Sequence, residues 1–158
     1  MTPKENFRKF FQHERGEWFP SFFTDANLAV FITGMDERAP RNQSGKDFFG
    51  CTWVFDPVGN AAVPDTSVPP ILDDICDWRE KVVFPDLDAV DWEESAKADK
   101  VDQYDPDKFN YTMLLEGPFE RLHTLMGFEN ALCAMLTDPE EVGAFFDRLT
   151  DLKCKELE

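Results

Sequence analysis

A strand that leads directly into a helix, between Asn110 and Asp138, constrains the fold of this chain more than any other feature. Tyr111–Leu115 is a short apolar run rich in strand-forming residues, and Glu116-Gly117-Pro118 interrupts it. Leu122 and Leu125 then begin an apolar pattern with helical spacing. This order predicts an α/β fold in which parallel strands alternate with helices.

Four polar residues follow that strand, where the active sites of parallel α/β proteins lie. Glu116 and His123 are therefore candidate catalytic residues, and Glu120 and Arg121 are candidate substrate-binding residues. Each has a simpler interpretation. Glu120 and Arg121 would form a solvated first helical turn, Glu116 would bond its own loop, and His123 would point into helix packing.

A second strand is predicted at Phe48–Phe55, again parallel and again ending at a carboxylate. Asp56, directly before Pro57, is the third candidate catalytic residue. Its simpler interpretation is that it caps a turn. The following stretch, Val58–Pro70, contains several prolines and is predicted to be a loop.

Composition limits the partners of the chain. The 158 residues, the size of a single domain, carry 32 acidic and 16 basic side chains, for a formal net charge of −16. Such a field repels nucleic acid and anionic membrane surfaces, so neither is an expected partner. The sequence has no apolar run that could span a bilayer and no secretory signal, so a cytoplasmic location is expected.

The cysteine and histidine content argues against a metal site within this segment. Cys51, Cys76, Cys133 and Cys154 are far apart and form no C-x-x-C pair, so they are expected to be reduced thiols. Cys51 and Cys133 lie in apolar runs and are predicted to be core residues. Only two histidines are present, which disfavours a zinc site built from this chain alone.

Two helices carry clear start signals. Thr2-Pro3-Lys4-Glu5 and Asp138-Pro139-Glu140-Glu141 both have the pattern of a capping box with proline at the first helical position. The first helix is predicted to end at Gly16. The second is predicted to bury Phe145, Phe146 and Leu149. A charged, solvent-facing helix is predicted at Asp91–Gln103. For Thr24–Ile32 the sequence allows either a short helix or a loop that leads to a strand.

Several of these segments, in this order, resemble the uroporphyrinogen decarboxylase family, which includes the decarboxylase of haem biosynthesis and cobalamin-linked methyltransferases. The resemblance covers almost the whole chain. It rests on a strand that ends in Gly117-Pro118-Phe119, on the D-P-E-x-V opening at Asp138, and on three further segments. These are M-T-P-K-E-N-F with H-E-R-G-E-W-F-P, D-F-F-G-C-T-W-V-F-D-P, and I-L-D-D-I-C-D-W-R-E-K-V-V-F-P-D-L-D-A-V-D-W.

The resemblance implies a (β/α)8 TIM barrel of roughly 250 residues or more, of which residues 1–158 form the N-terminal half as one domain. The last helical pattern reaches Glu158 without a closing Gly, Asn or Pro, which is the expectation for a chain truncated at its C-terminus. On this view the isolated fragment is inactive. Its open barrel edges would favour self-association.

Within the family, two departures favour the methyltransferase branch. The decarboxylase holds substrate carboxylates with an Arg-Gln-Ala-Gly-Arg segment, whereas this chain offers only the scattered Arg38, Arg41 and Lys46. Thr124 stands where the decarboxylase has a tyrosine. The resemblance thus implies methyl transfer to or from a corrinoid, or demethylation of a small methylated substrate, with Asp56, Glu116 and Glu120 orienting that substrate.

The same resemblance implies cofactors for the full-length protein: a corrinoid (cobalamin), with a corrinoid protein as partner, and zinc in the zinc-dependent members. The segment itself is expected to bind none of them alone. Two alternatives stay open. One is uroporphyrinogen decarboxylation in tetrapyrrole biosynthesis, and the other is a non-catalytic binding or assembly fragment.

Overall fold

The computed structural model describes residues 1–29, 32–39 and 43–158. Its helices are α1 (Pro3–Phe11), α2 (Phe22–Asp25), α3 (Trp78–Lys81), α4 (Trp92–Ala98), α5 (Pro118–Met126), α6 (Phe128–Thr137) and α7 (Pro139–Glu156). Its strands are β1 (Ala26–Ala29), β2 (Gly45–Lys46), β3 (Thr52–Asp56), β4 (Ala61–Pro64) and β5 (Phe109–Thr112). Short 3-10 helices cover Ile75–Asp77, Leu87–Ala89 and Val101–Gln103.

The chain divides into two compact units, each built from two separate segments. Unit 1 comprises Met1–Gly34 and Asp91–Leu114, and unit 2 comprises Met35–Val90 and Leu115–Glu158.

Unit 1 contains a parallel pair of strands. Strand β1 pairs with β5, with Ala26 opposite Phe109 and Ala29 opposite Thr112. The strand predicted at Tyr111–Leu115 is confirmed in part: a parallel strand is present, but it covers Phe109–Thr112, and residues 113–115 lie outside it. The stretch Thr24–Ile32, for which the sequence allowed a short helix or a loop leading to a strand, contains the end of helix α2 followed by strand β1. Its residues 30 and 31 lie outside the described part of the chain.

The start of helix α1 is as predicted, but its end is not. Thr2 Oγ1 accepts a hydrogen bond from the Glu5 amide, and the Glu5 carboxylate accepts one from the Thr2 amide, which completes the capping box. The helix ends at Phe11, well before Gly16. Gly16 has a different role, because a Cβ at this position would lie 2.2 Å from Oδ1 of the buried Asn6.

The packing of unit 1 is aromatic. Phe7 is buried, and its ring centroid lies 5.1 Å from that of Phe22, which stacks on Tyr111 at 4.6 Å. The charged helix predicted at Asp91–Gln103 is present as α4, which ends at Ala98, followed by a 3-10 turn. Asp91 caps α4 by accepting a hydrogen bond from the Glu94 amide.

Unit 2 contains an antiparallel sheet of β2, β3 and β4, so the parallel strand predicted at Phe48–Phe55 is wrong in its pairing. A tight turn joins β3 to β4, which places a strand within the predicted Val58–Pro70 loop. Asp56 accepts hydrogen bonds from the Val58 and Gly59 amides in this turn. The residues Gly59-Asn60 are a hairpin signal, and they explain why the chain reverses instead of entering a helix.

Helices α5, α6 and α7 supply more than half of the main buried apolar cluster of unit 2. Phe145 and Leu149 of α7 are buried as predicted, whereas Phe146 is only partly buried. Helix α7 begins at Pro139 as predicted, but the Asp138 side chain makes no capping hydrogen bond. That carboxylate instead accepts a hydrogen bond from the Thr137 hydroxyl.

The four cysteines are free thiols with different surroundings. Cys51 is buried, as predicted, whereas Cys133 is exposed, so its prediction as a core residue is wrong. Cys133 lies on the outer face of α6, where Leu132 and Leu136 are also exposed. The apolar run in the sequence of α6 therefore includes residues that are exposed in the structure. Across the described ranges, no helix is long and apolar enough to cross a membrane.

Candidate functional site

Unit 2 has a cleft of about 610 Å³, formed by the start of β3, the end of β4 with the loop after it, and the α5–α6 junction. Helix α5 positions two polar residues in it, His123 and Thr124. The helix begins after Gly117 with Pro118 in its first turn. Leu122 and Leu125 are buried in the core, and His123 and Thr124, on another side of the helix, line the cleft.

His123 belongs to a trio of rings at this cleft. Its ring centroid lies 5.4 Å from that of Phe119 and 5.7 Å from that of Phe128, and the two phenylalanine rings are 5.8 Å apart. Gly127 makes the trio possible by turning the chain sharply between α5 and α6, with φ at 85°. Such a φ strongly favours glycine.

The cleft has little charge. Among the described residues that line it, Asp65 is the one carboxylate, and none is arginine or lysine. The Ser67 hydroxyl and amide donate hydrogen bonds of 2.6 and 2.9 Å to the Asp65 carboxylate, which lower its pKa. Most of the remaining lining residues are apolar. This chemistry suits a small ligand without several negative charges.

A buried ion pair in the same unit accounts for Arg121. Its Nη1 lies 2.6 Å from Asp47 Oδ2, and both side chains are almost completely buried. Arg121 Nη2 also donates a hydrogen bond to the backbone carbonyl of Glu37. The interpretation of Arg121 as part of a solvated turn is therefore wrong, and its guanidinium does not line the cleft.

The Asp47 carboxylate also accepts hydrogen bonds from three neighbouring groups. The amides of Phe49 and Cys51 donate to Oδ1 at 3.0 and 2.9 Å, and the Trp53 indole donates to Oδ2 at 3.0 Å. These hydrogen bonds to the buried carboxylate hold the residues just before and at the start of strand β3 in place.

Burial, followed by the nearby charge of Asp47, raises the pKa of the Cys51 thiol to about 12. Cys51 therefore stays a neutral thiol at physiological pH.

Glu116 belongs to a charged cluster that also contains Arg121, Asp47, Glu37 and Arg38. It lies next to the cleft but does not line it. It is buried, with its carboxylate 4.0 Å from the Arg38 guanidinium and 3.5 Å from the Thr124 hydroxyl. Burial raises its pKa, while the charges of Arg121 and Arg38 lower it in part. The predicted strand-end carboxylate is thus held beneath the cleft wall that Thr124 forms.

Helix α7 adds two further charged residues to the cluster. Lys153 contacts the Glu37 carboxylate and lies 3.7 Å from that of Glu156. The Glu156 side chain is inaccessible to solvent, and in the described part of the chain neither of its oxygens has a hydrogen-bond partner. Burial consequently raises the pKa of Glu156.

The other predicted site residues lie elsewhere. Asp56 bonds the turn that follows it, in agreement with its simpler interpretation as a turn cap. Glu120 is exposed on the first turn of α5, as a solvated residue would be. Of the five predicted residues, His123 alone lines the cleft, while Glu116 and Arg121 share the buried cluster. Arg41 lies outside the described residues.

The roles of Asp47, Glu37 and Lys153 in this charged cluster were not predicted from the sequence. One signal was available, because Arg121 precedes Leu122 directly and lies four residues before Leu125, within the apolar face of α5. A charged residue in such a face needs a buried partner. The identity of that partner depends on contacts between residues 74 positions apart, which the sequence pattern does not reveal.

Comparisons with known proteins give no relative. No family model, curated protein or solved structure matches this chain. Across the ranges 1–29, 32–39 and 43–158, no group of three or more histidine, cysteine or acidic residues is arranged to hold a metal ion.

Proposed function

We propose that this chain supplies a substrate-binding part of a uroporphyrinogen decarboxylase-family methyltransferase or demethylase that acts on a small methylated molecule. The observation that carries the proposal is the cleft of unit 2, an apolar space of about 610 Å³ with His123 in its lining. Its size falls in the range typical of small-molecule sites, roughly 300–1,000 Å³. A methyl group fits an apolar wall, and the imidazole N–H suits the heteroatom that carries the methyl group.

The charge of the cleft supports methyl transfer over the decarboxylase alternative. Uroporphyrinogen carries many carboxylates, which need fixed guanidinium or ammonium partners. Among the described lining residues the charged one is Asp65, an anion, and the nearby Arg121 is already paired with Asp47. A polycarboxylate would therefore be repelled from this site.

The cofactors implied by the resemblance are not assigned to residues of this chain. A corrinoid, which would accept or supply the methyl group, is larger than the small-molecule cleft. The described residues also offer no donor set for zinc. Under the proposal both belong to other parts of the complete protein or to a corrinoid protein partner. The fold proposed with this function is part of a (β/α)8 barrel, and the proposed location is the cytoplasm.

Equilibrium dialysis of the chain with four probes tests the proposal. The probes are dimethyl sulfide, tetramethylammonium, 1,2-dimethoxybenzene and uroporphyrinogen. We expect at least one methylated probe to bind. We also expect His123→Phe, which keeps a ring but removes the N–H donor, to weaken that binding about fivefold.

The chain offers a matched control for this experiment in its other histidine. His13 lies in unit 1 with φ at 58°, a conformation that asparagine tolerates, so His13→Asn should leave binding unchanged. Binding of uroporphyrinogen alone, with decarboxylated products, would favour the decarboxylase instead. Binding of no methylated probe, or binding unaffected by His123→Phe, would contradict the proposal.

A further inference from the structure

Unit 1 has a groove of about 180 Å³ between helices α1 and α2 and the paired strands β1 and β5. Five aromatic side chains line this aromatic groove: Phe7, Phe11, Phe22, Phe109 and Tyr111. Their neighbouring ring centroids are 4.6 to 6.4 Å apart, the spacing at which aromatic rings attract one another. A cavity of about 150 Å³ with apolar walls can hold one benzene molecule. The groove therefore has room for a single ring.

The groove is the concave centre of a larger aromatic surface. Phe11 lines the groove and is nevertheless 57% exposed. Beside it on α1 lies the exposed Phe10, whose ring centroid is 5.5 Å from that of the 84% exposed Phe19. Clusters of exposed apolar side chains mark surfaces that bind a partner. A central pocket for one anchor side chain, with further aromatic residues around it, is typical of protein-binding sites.

Helix α1 adds positive charge beside the groove, although the chain as a whole is acidic. Residues 1–15 contain four basic and two acidic side chains, whereas the whole chain contains 16 basic and 32 acidic ones. The Lys4 ammonium lies 5.6 Å, and the Arg8 guanidinium 6.0 Å, from the ring centroid of Phe109 in the groove wall. Within the described part of the chain neither cation is in an ion pair. Both are therefore available to carboxylates of a partner.

Size and charge favour a peptide over two other occupants. The groove is smaller than the roughly 300–1,000 Å³ typical of sites for whole small molecules. An anionic membrane surface is flat and would leave the groove unfilled, and the net charge of −16 repels it. A protruding side chain of a peptide fits the groove, and acidic neighbours of that side chain complement the charge of α1.

We propose that the aromatic groove is a docking site for an acidic peptide segment of a partner protein, anchored by one aromatic side chain. The anchor ring packs between Phe11, Phe22 and Tyr111. Carboxylates next to the anchor pair with Lys4 and Arg8. This docking site is independent of the proposed function, because all its residues belong to unit 1.

Calorimetric titration of the whole chain with three heptapeptides tests the proposal. The first peptide is Asp-Glu-Asp-Phe-Glu-Asp-Glu. The second replaces its phenylalanine with alanine, and the third keeps the phenylalanine but replaces every acidic residue with lysine. We expect the first peptide to bind at least about tenfold more tightly than either of the others, because they lack the anchor or the complementary charge.

A ring-deleting variant tests the groove itself. Phe11→Ala removes one wall and should weaken binding of the first peptide about tenfold, the scale of a lost anchor contact. The matched control is Phe23→Ala, because Phe23 is 84% exposed in the same unit and does not line the groove. This control should leave affinity unchanged. Circular dichroism of both variants verifies that they are folded.

A charge-deleting variant tests the role of α1. Arg8→Gln should weaken binding of the first peptide about threefold, the scale of one exposed ion pair, and should reduce the salt dependence of binding. Lys100→Asn is the matched control. It removes a positive charge from an exposed position of unit 1 outside the groove, with φ at 54°, which asparagine tolerates. Affinity should not change in this control.

Several outcomes would overturn the proposal. One is binding of the alanine or lysine peptide as tight as that of the first peptide, and another is equal weakening by Phe11→Ala and Phe23→Ala. Co-sedimentation with vesicles of phosphatidylcholine and phosphatidylserine, without peptide binding, would assign the surface to a membrane. A dimer that Phe11→Ala dissociates, again without peptide binding, would assign it to a second copy of the chain. The proposed function at the cleft of unit 2 would stand in each case.

Discussion

Arg121 and Asp47 form the most buried ion pair among the described residues, and this pair determines how unit 2 responds to mutation. Removing one partner leaves the other charge buried without compensation, which costs far more than the net stabilisation by the intact pair. The same removal at the surface is almost neutral, because water replaces the lost partner.

We predict that Arg121→Met lowers the free energy of unfolding by about 3–5 kcal/mol, the usual cost of breaking a buried pair. Arg79→Met is the matched control, because Arg79 pairs with Glu141 at an exposed site and its loss should cost about 1 kcal/mol or less. Urea denaturation of both variants measures the difference. A loss below about 1 kcal/mol for Arg121→Met would show that the pair is not desolvated.

Glu156 gives a pH-dependent prediction at the residue scale. Burial raises its pKa above the ordinary value of 4.5, so the folded state holds this proton more tightly than the unfolded state does. Its contribution to stability is therefore present at low pH and is lost as pH rises from 4.5 through the raised pKa. Glu156→Gln removes that loss, because the amide stays neutral.

Urea denaturation at several pH values between 4.5 and neutrality measures this effect. Relative to the wild-type chain, Glu156→Gln should gain stability as pH rises. Asp151→Asn, at an exposed position of the same helix, is the control for removing one acidic side chain from α7. A Glu156→Gln stability difference independent of pH would mean that the carboxylate is solvated.

At the scale of secondary-structure elements, helix α7 stabilises unit 2 through one face. Phe145 and Leu149 are buried on that face, whereas Phe146 packs against the core from a partly exposed position. The ring of Phe145 lies 5.7 Å from that of Trp78, the first residue of α3.

We predict that Phe145→Ala costs about 3–5 kcal/mol of stability, since it leaves a cavity in the core of unit 2. Phe146→Ala, the same change at the next residue, should cost clearly less because solvent already reaches that ring. Thermal and urea denaturation of the two variants provide the comparison. Equal losses, or a larger loss for Phe146→Ala, would mean that α7 packs through a different face.

The elements that could be predicted are those with local signals. The capping box at Thr2 and the strand that precedes Gly117-Pro118 are examples, because their residues are neighbours in sequence. The pairing of strand β3 could not be predicted from alternation alone, since a strand has the same pattern in parallel and antiparallel sheets. At the candidate site, His123 was predicted, but the partners of Arg121 were not, because they come from distant segments.

At the scale of the whole molecule, we propose that the chain binds a substrate without completing the reaction of that substrate. Barrel active sites draw residues from the ends of several strands. The chain is proposed to provide part of such a site, and catalysis is sensitive to missing or misplaced groups. His123 retains its position at the cleft through the local packing of α5.

We therefore predict that the 158-residue chain alone transfers no methyl group and decarboxylates no uroporphyrinogen, although it binds a methylated ligand. The measurement is an assay with 1,2-dimethoxybenzene and a reduced corrinoid, followed by chromatography for demethylated product. A parallel assay uses uroporphyrinogen. Turnover by this chain alone would contradict the view that the site is incomplete.

Amide chemical shifts during titration with 1,2-dimethoxybenzene test whether the cleft of unit 2 is the ligand site. We predict saturable shifts at cleft residues such as Thr66, Ile71, Thr124 and Gly127. Shifts confined to the aromatic groove of unit 1, near Asn110, or no saturable shifts at all, would contradict it.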